Sequence, residues 1–188
     1  MLRLINLEEI QTALLSTSRL VDLISQKDTS FLSEVKRWLI SLESILVNNK
    51  LPEASKIGSL RGAIISAELG IVPDGFTQPI HTTTSKLKNG VALQAIKKAS
   101  ETMFELIQKD LDRLSEAERI VNQIIAVANS KNLLNTLPVP RSTDILKSFW
   151  VNFSKDSDLS AGTVSVEGLI GPYDSLIVFD RSLGRFLM

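Results

Sequence analysis

Cysteine is absent from the 188 residues, and histidine occurs once. The first absence excludes a disulfide scaffold, thiol catalysis and any Cys-ligated metal or iron–sulfur centre. The second excludes multi-histidine metal sites and makes any conventional catalytic triad depend on His81 alone. An excess of one charge is lacking too: Lys+Arg and Asp+Glu both number 21, so no net field draws the chain toward nucleic acid or anionic lipid. Neither G-x-x-x-x-G-K-[ST] nor G-x-G-x-x-G occurs, which removes the common phosphate-cradling loops. No carboxylate pair is spaced for glycosidase-type work. No apolar run approaches the ~18 residues of a membrane-spanning helix, and no secretion signal is visible before Glu8 and Glu9. The expectation is a cytoplasmic protein that binds no cofactor.

What is present is apolar. Hydrophobic residues make up 44% and the mean hydropathy is +0.13, enough to fill the core of one ordinary domain. Leu7, Ile10, Leu14, Val21 and Ile24 recur at helical spacing, with Asn6 as a plausible N-cap, and predict a helix over 7–25. A turn at Asp28-Thr29-Ser30 leads to a second, carrying Phe31, Val35, Trp38, Leu39, Leu42 and Leu46. A third carries Ile57, Leu60, Ile64 and Ile65 between Pro52 and Gly70. Short connections make these helices antiparallel neighbours.

Residues 71–90 collect breakers: Pro73, Asp74-Gly75, Pro79, Thr82-Thr83-Thr84 and Asn89-Gly90. They predict an irregular loop. A long helix follows from about Val91 to Asn129. Unbroken it would extend about 58 Å, against an expected radius of gyration of about 16 Å. It must therefore bend, break or protrude, and Ser115 with Glu118, a capping-box match, marks the expected restart. Past Pro138 and Pro140, Ser142 or Thr143 caps a short helix bearing Phe149, Trp150 and Phe153. The alternation Thr163-Val164-Ser165-Val166, a turn at Gly168, Gly171 and Pro172, and the run Leu176-Ile177-Val178-Phe179 predict a β-hairpin, extended by Arg185-Phe186-Leu187-Met188. The fold expected is mainly α. It is an antiparallel helical bundle over 1–155, with a long central helix and a small C-terminal β element over 156–188.

Three patterns carry candidate chemistry. His81 suits a general base by its ordinary pKa, but no nucleophile or orienting acid is spaced around it, so it reads as a loop histidine. Asp156, Asp158, Ser160 and Glu167 occupy positions one, three, five and twelve of a calcium loop. Ala161 stands where that loop needs glycine, so the stretch reads as an acidic linker. Lys86, Lys88, Lys97 and Lys98 lie in a segment without acids between Gly75 and Ser100, a weak phosphate-binding patch near a helix start. Phe149, Trp150, Phe153 and Trp38 read as core.

Scarce catalytic groups beside plentiful apolar helix surface lead to a non-enzymatic expectation: a scaffold, adaptor or assembly subunit that binds a protein partner or its own copies. Leu176, Ile177, Val178, Phe179, Phe186 and Leu187 are its expected interface. The alternative is an accessory nucleic-acid-associated protein using the lysines of 86–98.

Overall fold

The computed structural model describes residues 2–77, 83–136, 138 and 141–186. Helices account for 79% of the structure, and no strand occurs among the described residues. Among the described residues the helices are α1 Leu4–Leu15, α2 Thr17–Ser25, α3 Phe31–Asn48, α4 Ala54–Glu68, α5 Thr84–Ser130, α6 Thr143–Lys155, α7 Ser160–Ile170 and α8 Pro172–Phe186. They form two compact units. One runs from Ile5 to Gln108; the other comprises the N-terminal residues through Leu4 and the chain from Lys109 onward. The division falls within α5.

In the first unit, the stretch predicted as one helix over 7–25 is two. Ser16, Thr17 and Ser18 each turn a hydroxyl back to the carbonyl three residues earlier, on Ala13, Leu14 and Leu15. Such hydroxyls compete with the helix's own bonding, and the break falls among them. Helices α2, α3, α4 and α5 all end the same way. An amide two residues beyond the C-cap bonds a carbonyl five residues back: Asp28 to Leu23, Leu51 to Leu46, Ile71 to Ser66, and Leu133 to Ala128. This closure needs a left-handed residue just past the helix. Gly70 supplies it freely at φ +80°, whereas Lys27, Lys50 and Asn132 adopt φ of 55–58° without glycine's freedom.

Helices α3 and α4 pack antiparallel. Lys36 Nζ sits 2.8 Å from Glu68 Oε1, and Arg61 Nη2 sits 3.0 Å from Glu43 Oε2, two ion pairs in one register. Helix α5 starts at Thr84, seven residues before the expected point, because the Thr83 hydroxyl accepts from the Lys86 amide at 3.4 Å. Asn89 and Gly90 are helical and break nothing. Nor does α5 restart at Ser115: it is one helix of 47 residues.

The second unit corrects the expected fold. The C-terminal β-hairpin does not exist; its two predicted strands are α7 and α8. Leu159, Thr163, Val166 and Ile170 are the buried positions along the first. Their spacing of four, three and four is helical, and the alternation at 163–166 is incidental to it. Along α8 the buried positions are Asp174, Ser175, Val178, Phe179, Ser182 and Leu183, a helical stripe half made of polar residues. Pro172 begins α8 at the position that wastes no amide, and Gly171, at φ +82°, makes the corner. The core gathers Trp150 and Phe153 from α6 against Phe179, with ring centroids 5.3 and 5.6 Å apart. Gly162 brings α7 close onto α5: a Cβ there would sit 3.1 Å from Ile124 Cγ1.

The N-terminal residues belong to this second unit through hydrogen bonds. The Asp110 carboxylate accepts from the Leu2 amide at 2.8 Å, and the buried Asp174 carboxylate accepts from the Leu4 amide at 2.9 Å. Asp174 thereby caps the start of α1 from 170 residues away in sequence. Replacing Asp174 by Ala leaves the Leu4 amide unpaired, and is expected to lower unfolding free energy by about 1–3 kcal/mol. Urea denaturation of the two proteins checks this; an unchanged midpoint would contradict the capping role.

Candidate functional site

The predicted site residues fall in different places. Val178 and Phe179 are core residues, 2% and 0% exposed, and Leu176 and Ile177 pack partly buried against the same core. Phe186 is exposed, and Leu187 lies outside the described residues. The expected interface therefore does not form one surface. A charge at Val178 would unfold this unit rather than dissociate a complex.

The four lysines all lie on α5, but not on one face. At about 100° per residue, Lys86 and Lys97 are separated by only about 20° around the helix, whereas Lys88 and Lys98 lie about 160° and 120° from Lys86. Lys98 is engaged: its Nζ donates to the Gly75 carbonyl at 2.7 Å and stands 4.3 Å from the centre of the Phe76 ring. Lys97 reaches Glu101 at 3.8 Å, and both side chains are well exposed. His81 lies outside the described residues.

The calcium-like pattern is dispersed. Asp156 and Asp158 converge on Lys131, whose Nζ is 2.8 Å from Asp156 Oδ1 and 2.6 Å from Asp158 Oδ2. Glu167 instead accepts from the Trp150 indole at 2.8 Å, and Ser160 opens α7. Among the described residues no three His, Cys, Asp or Glu side chains group as metal ligands do. The ammonium of Lys131, aided by the Asp158 amide, holds the Asp156 carboxyl below its ordinary pKa, and the two carboxylates hold Lys131 above its own.

Sequence reasoning missed two surfaces of the Ile5–Gln108 unit. The first is the outer side of α3 and α4. Ile40 and Val47 each follow a member of the two ion pairs by four residues on α3, and Ile65 follows Arg61 by four on α4. Antiparallel packing turns all three, with Leu69, to the solvent side of the seam. They are 49%, 58%, 43% and 75% exposed. Gly62 lies on the same side, with open space where a Cβ would stand. Ile40 and Val47 fall off the apolar stripe of their helix in the sequence, whereas Ile65, expected to face inward with Ile57, Leu60 and Ile64, is 43% exposed.

The second is a groove of about 680 Å³ between α1 and α3. Ile5, Ala13 and Ile45 supply apolar wall, and Glu8 and Glu9 supply acid; no lysine or arginine lines it. The helices are held antiparallel at the groove's two ends. Asn6 Nδ2 donates to Asn49 Oδ1, and Trp38 Nε1 donates to the Ala13 carbonyl at 2.8 Å. Three hydroxyls along the groove donate to their own chain: Thr12 to the Glu8 carbonyl, Ser16 to the Ala13 carbonyl and Ser44 to the Ile40 carbonyl.

Compared with protein-family models, with curated proteins and with solved structures, the chain shows no match. Among the described residues no helix is long and apolar enough to cross a membrane.

Lys131→Met removes the cation that lowers Asp156. Carboxyl NMR titration is expected to show the Asp156 midpoint rising toward the ordinary aspartate value. In the native protein the pair's contribution holds above the ordinary carboxylate range and fades as pH falls through the lowered Asp156 midpoint. At the alkaline end it holds below the ordinary lysine range and fades as pH rises through the raised Lys131 midpoint. An Asp156 midpoint unmoved by Lys131→Met would contradict the pairing.

Proposed function

We propose that the chain is a non-enzymatic interaction protein, a scaffold, adaptor or assembly subunit, that works by binding other protein through its helix faces. The observation that carries this is the outer side of α3 and α4, where Ile40, Val47, Ile65 and Leu69 stand exposed together. Scattered single apolar residues are ordinary on a surface; a group on adjacent helices is what protein contacts use. The side chains that would otherwise attract a catalytic reading are occupied structurally. Glu167 orients Trp150, Asp174 caps α1, and Asp156 and Asp158 hold Lys131.

The expected interface moves accordingly, from the C-terminal segment to the first unit. The nucleic-acid alternative rests on lysines that do not share a face, and it gains no support from their placement.

Ile40→Lys with Leu69→Lys tests the reading. Both positions are exposed, so folding is expected to be retained. Cross-linking and mass spectrometry from source cells is expected to show at least one protein captured by the native chain and lost with the double variant. The same protein should be kept by Val164→Lys, at an apolar position 67% exposed in the other unit. Identical capture by all three would contradict the proposal.

A further inference from the structure

Residues 2–4 enter the unit that begins at Lys109 from far away in sequence, and each of the three is held in its own way. The Leu2 amide donates to Asp110 Oδ2 at 2.8 Å, and the Leu4 amide donates to Asp174 Oδ2 at 2.9 Å. Between them the Arg3 guanidinium lies over the Tyr173 ring, 4.6 Å from its centre. Leu4 alone is enclosed, in the core that also holds Val178 and Phe179. The second oxygen of Asp110 faces Arg113 Nη1 at 3.3 Å, which fixes the direction in which that carboxylate points.

What these contacts read is short and general. Two of them take backbone amides, which any segment offers. The other two ask for a basic side chain that can lie on an aromatic face and, directly after it, an aliphatic one that fits the core. The carboxylates serve both demands, since they accept amides strongly and favour a cation between them.

The segment is also built to come away. Leu4 is the first residue of α1, and helix ends open before helix centres. Ile5, the next residue, is 61% exposed. From Asn6 onward α1 is secured in its own unit, by the bond of Asn6 to Asn49 and by the buried side chains of Leu7 and Ile10. Withdrawing residues 2–4 therefore removes one side chain from a core and leaves Leu7 and Ile10 in place. The Arg3–Tyr173 contact already lies in solvent, with Tyr173 60% exposed.

We infer that Asp110, Tyr173 and Asp174, with the core position of Leu4, form a socket for a linear aliphatic–basic–aliphatic segment of a partner protein, which the chain's own Leu2–Leu4 fills in the partner's absence. The contact belongs to the unit that begins at Lys109 and is independent of the α3–α4 side. A segment tethered beside its socket acts at an effective concentration on the order of millimolar. The filled form is thus the resting one, and an incoming segment must outcompete it.

A peptide added from outside tests this. Tyr173 is the only tyrosine of the chain, so its ring gives one set of NMR signals that reports on the socket. Arg3→Glu with Leu4→Ser empties the socket and is expected to shift those signals. A peptide copying Leu2 to Asn6, with blocked ends, is expected to return them toward their native position, with half-saturation below about 1 mM. The native chain is expected to bind the same peptide about tenfold more weakly, because its own segment competes. A peptide with glutamate in place of the arginine is expected to leave the signals where they are.

Tyr173 signals that stay unmoved up to several millimolar peptide overturn the inference. So does equal binding to the native and emptied chains, or equal binding of the glutamate peptide, since either puts the peptide somewhere other than the socket. Circular dichroism establishes that the double variant remains helical. Arg3→Glu alone, at an exposed position, repeats the test with the fold undisturbed, and is expected to bind the peptide more tightly than the native chain; equal binding there overturns the inference as well.

Discussion

A buried carboxylate organises the unit that begins at Lys109. Asp174, 6% exposed, stands in the first turn of α8, where acid favours the helix dipole, and it accepts the amide that opens α1. Its burial is tolerable because that bond replaces water. The same turn places Ser175, whose hydroxyl returns to the Gly171 carbonyl at 2.6 Å. With those polar groups satisfied, α8 can lay Val178, Phe179 and Leu183 against Trp150 and Phe153, and the unit closes around them. Arg3 over the Tyr173 ring, 4.6 Å from its centre, adds a second tie beside the first.

That burial of polar groups is also why the C-terminal segment misleads as a sequence. With Asp174, Ser175 and Ser182 assigned to water, only the run 176–179 remains apolar, and it has the look of a strand. Counted as inside, they complete a stripe of period 3.6. Where the polar residues do face water, as along α3, the pattern reads correctly: Phe31, Val35, Leu39, Leu42 and Leu46 are all buried where the spacing placed them. The start of α5 at Thr84 departs from the sequence pattern for a related reason. Thr83 and Gly90 are breakers by type, yet one serves as a cap and the other is carried by a helix whose neighbouring positions are buried.

Functional residues were less legible than the fold. Local charge singles out the lysines, and Lys86 and Lys97 do share one side of α5, but their distribution around the helix depends on its phase and on a start point that the breakers obscure. The acidic groove had no local signature, since it arises between residues near 8 and residues near 45. Of the exposed aliphatic group on α3 and α4, Ile40 and Val47 stand outside the apolar stripe in the sequence, but Ile65 reads as part of one, and only antiparallel packing brings the group to one side.

The protein-binding role proposed for the Ile5–Gln108 unit rests on the exposed side chains of Ile40, Val47, Ile65 and Leu69. Because the chain lacks cysteine, a single label can be set on it cleanly. A photo-cross-linker at Gly62→Cys, where a side chain meets open space on the same side, is expected to attach a protein from source cells that the same label at Val164→Cys, exposed in the other unit, does not attach. Attachment of the same proteins from both positions, or of none from Gly62, would contradict the reading.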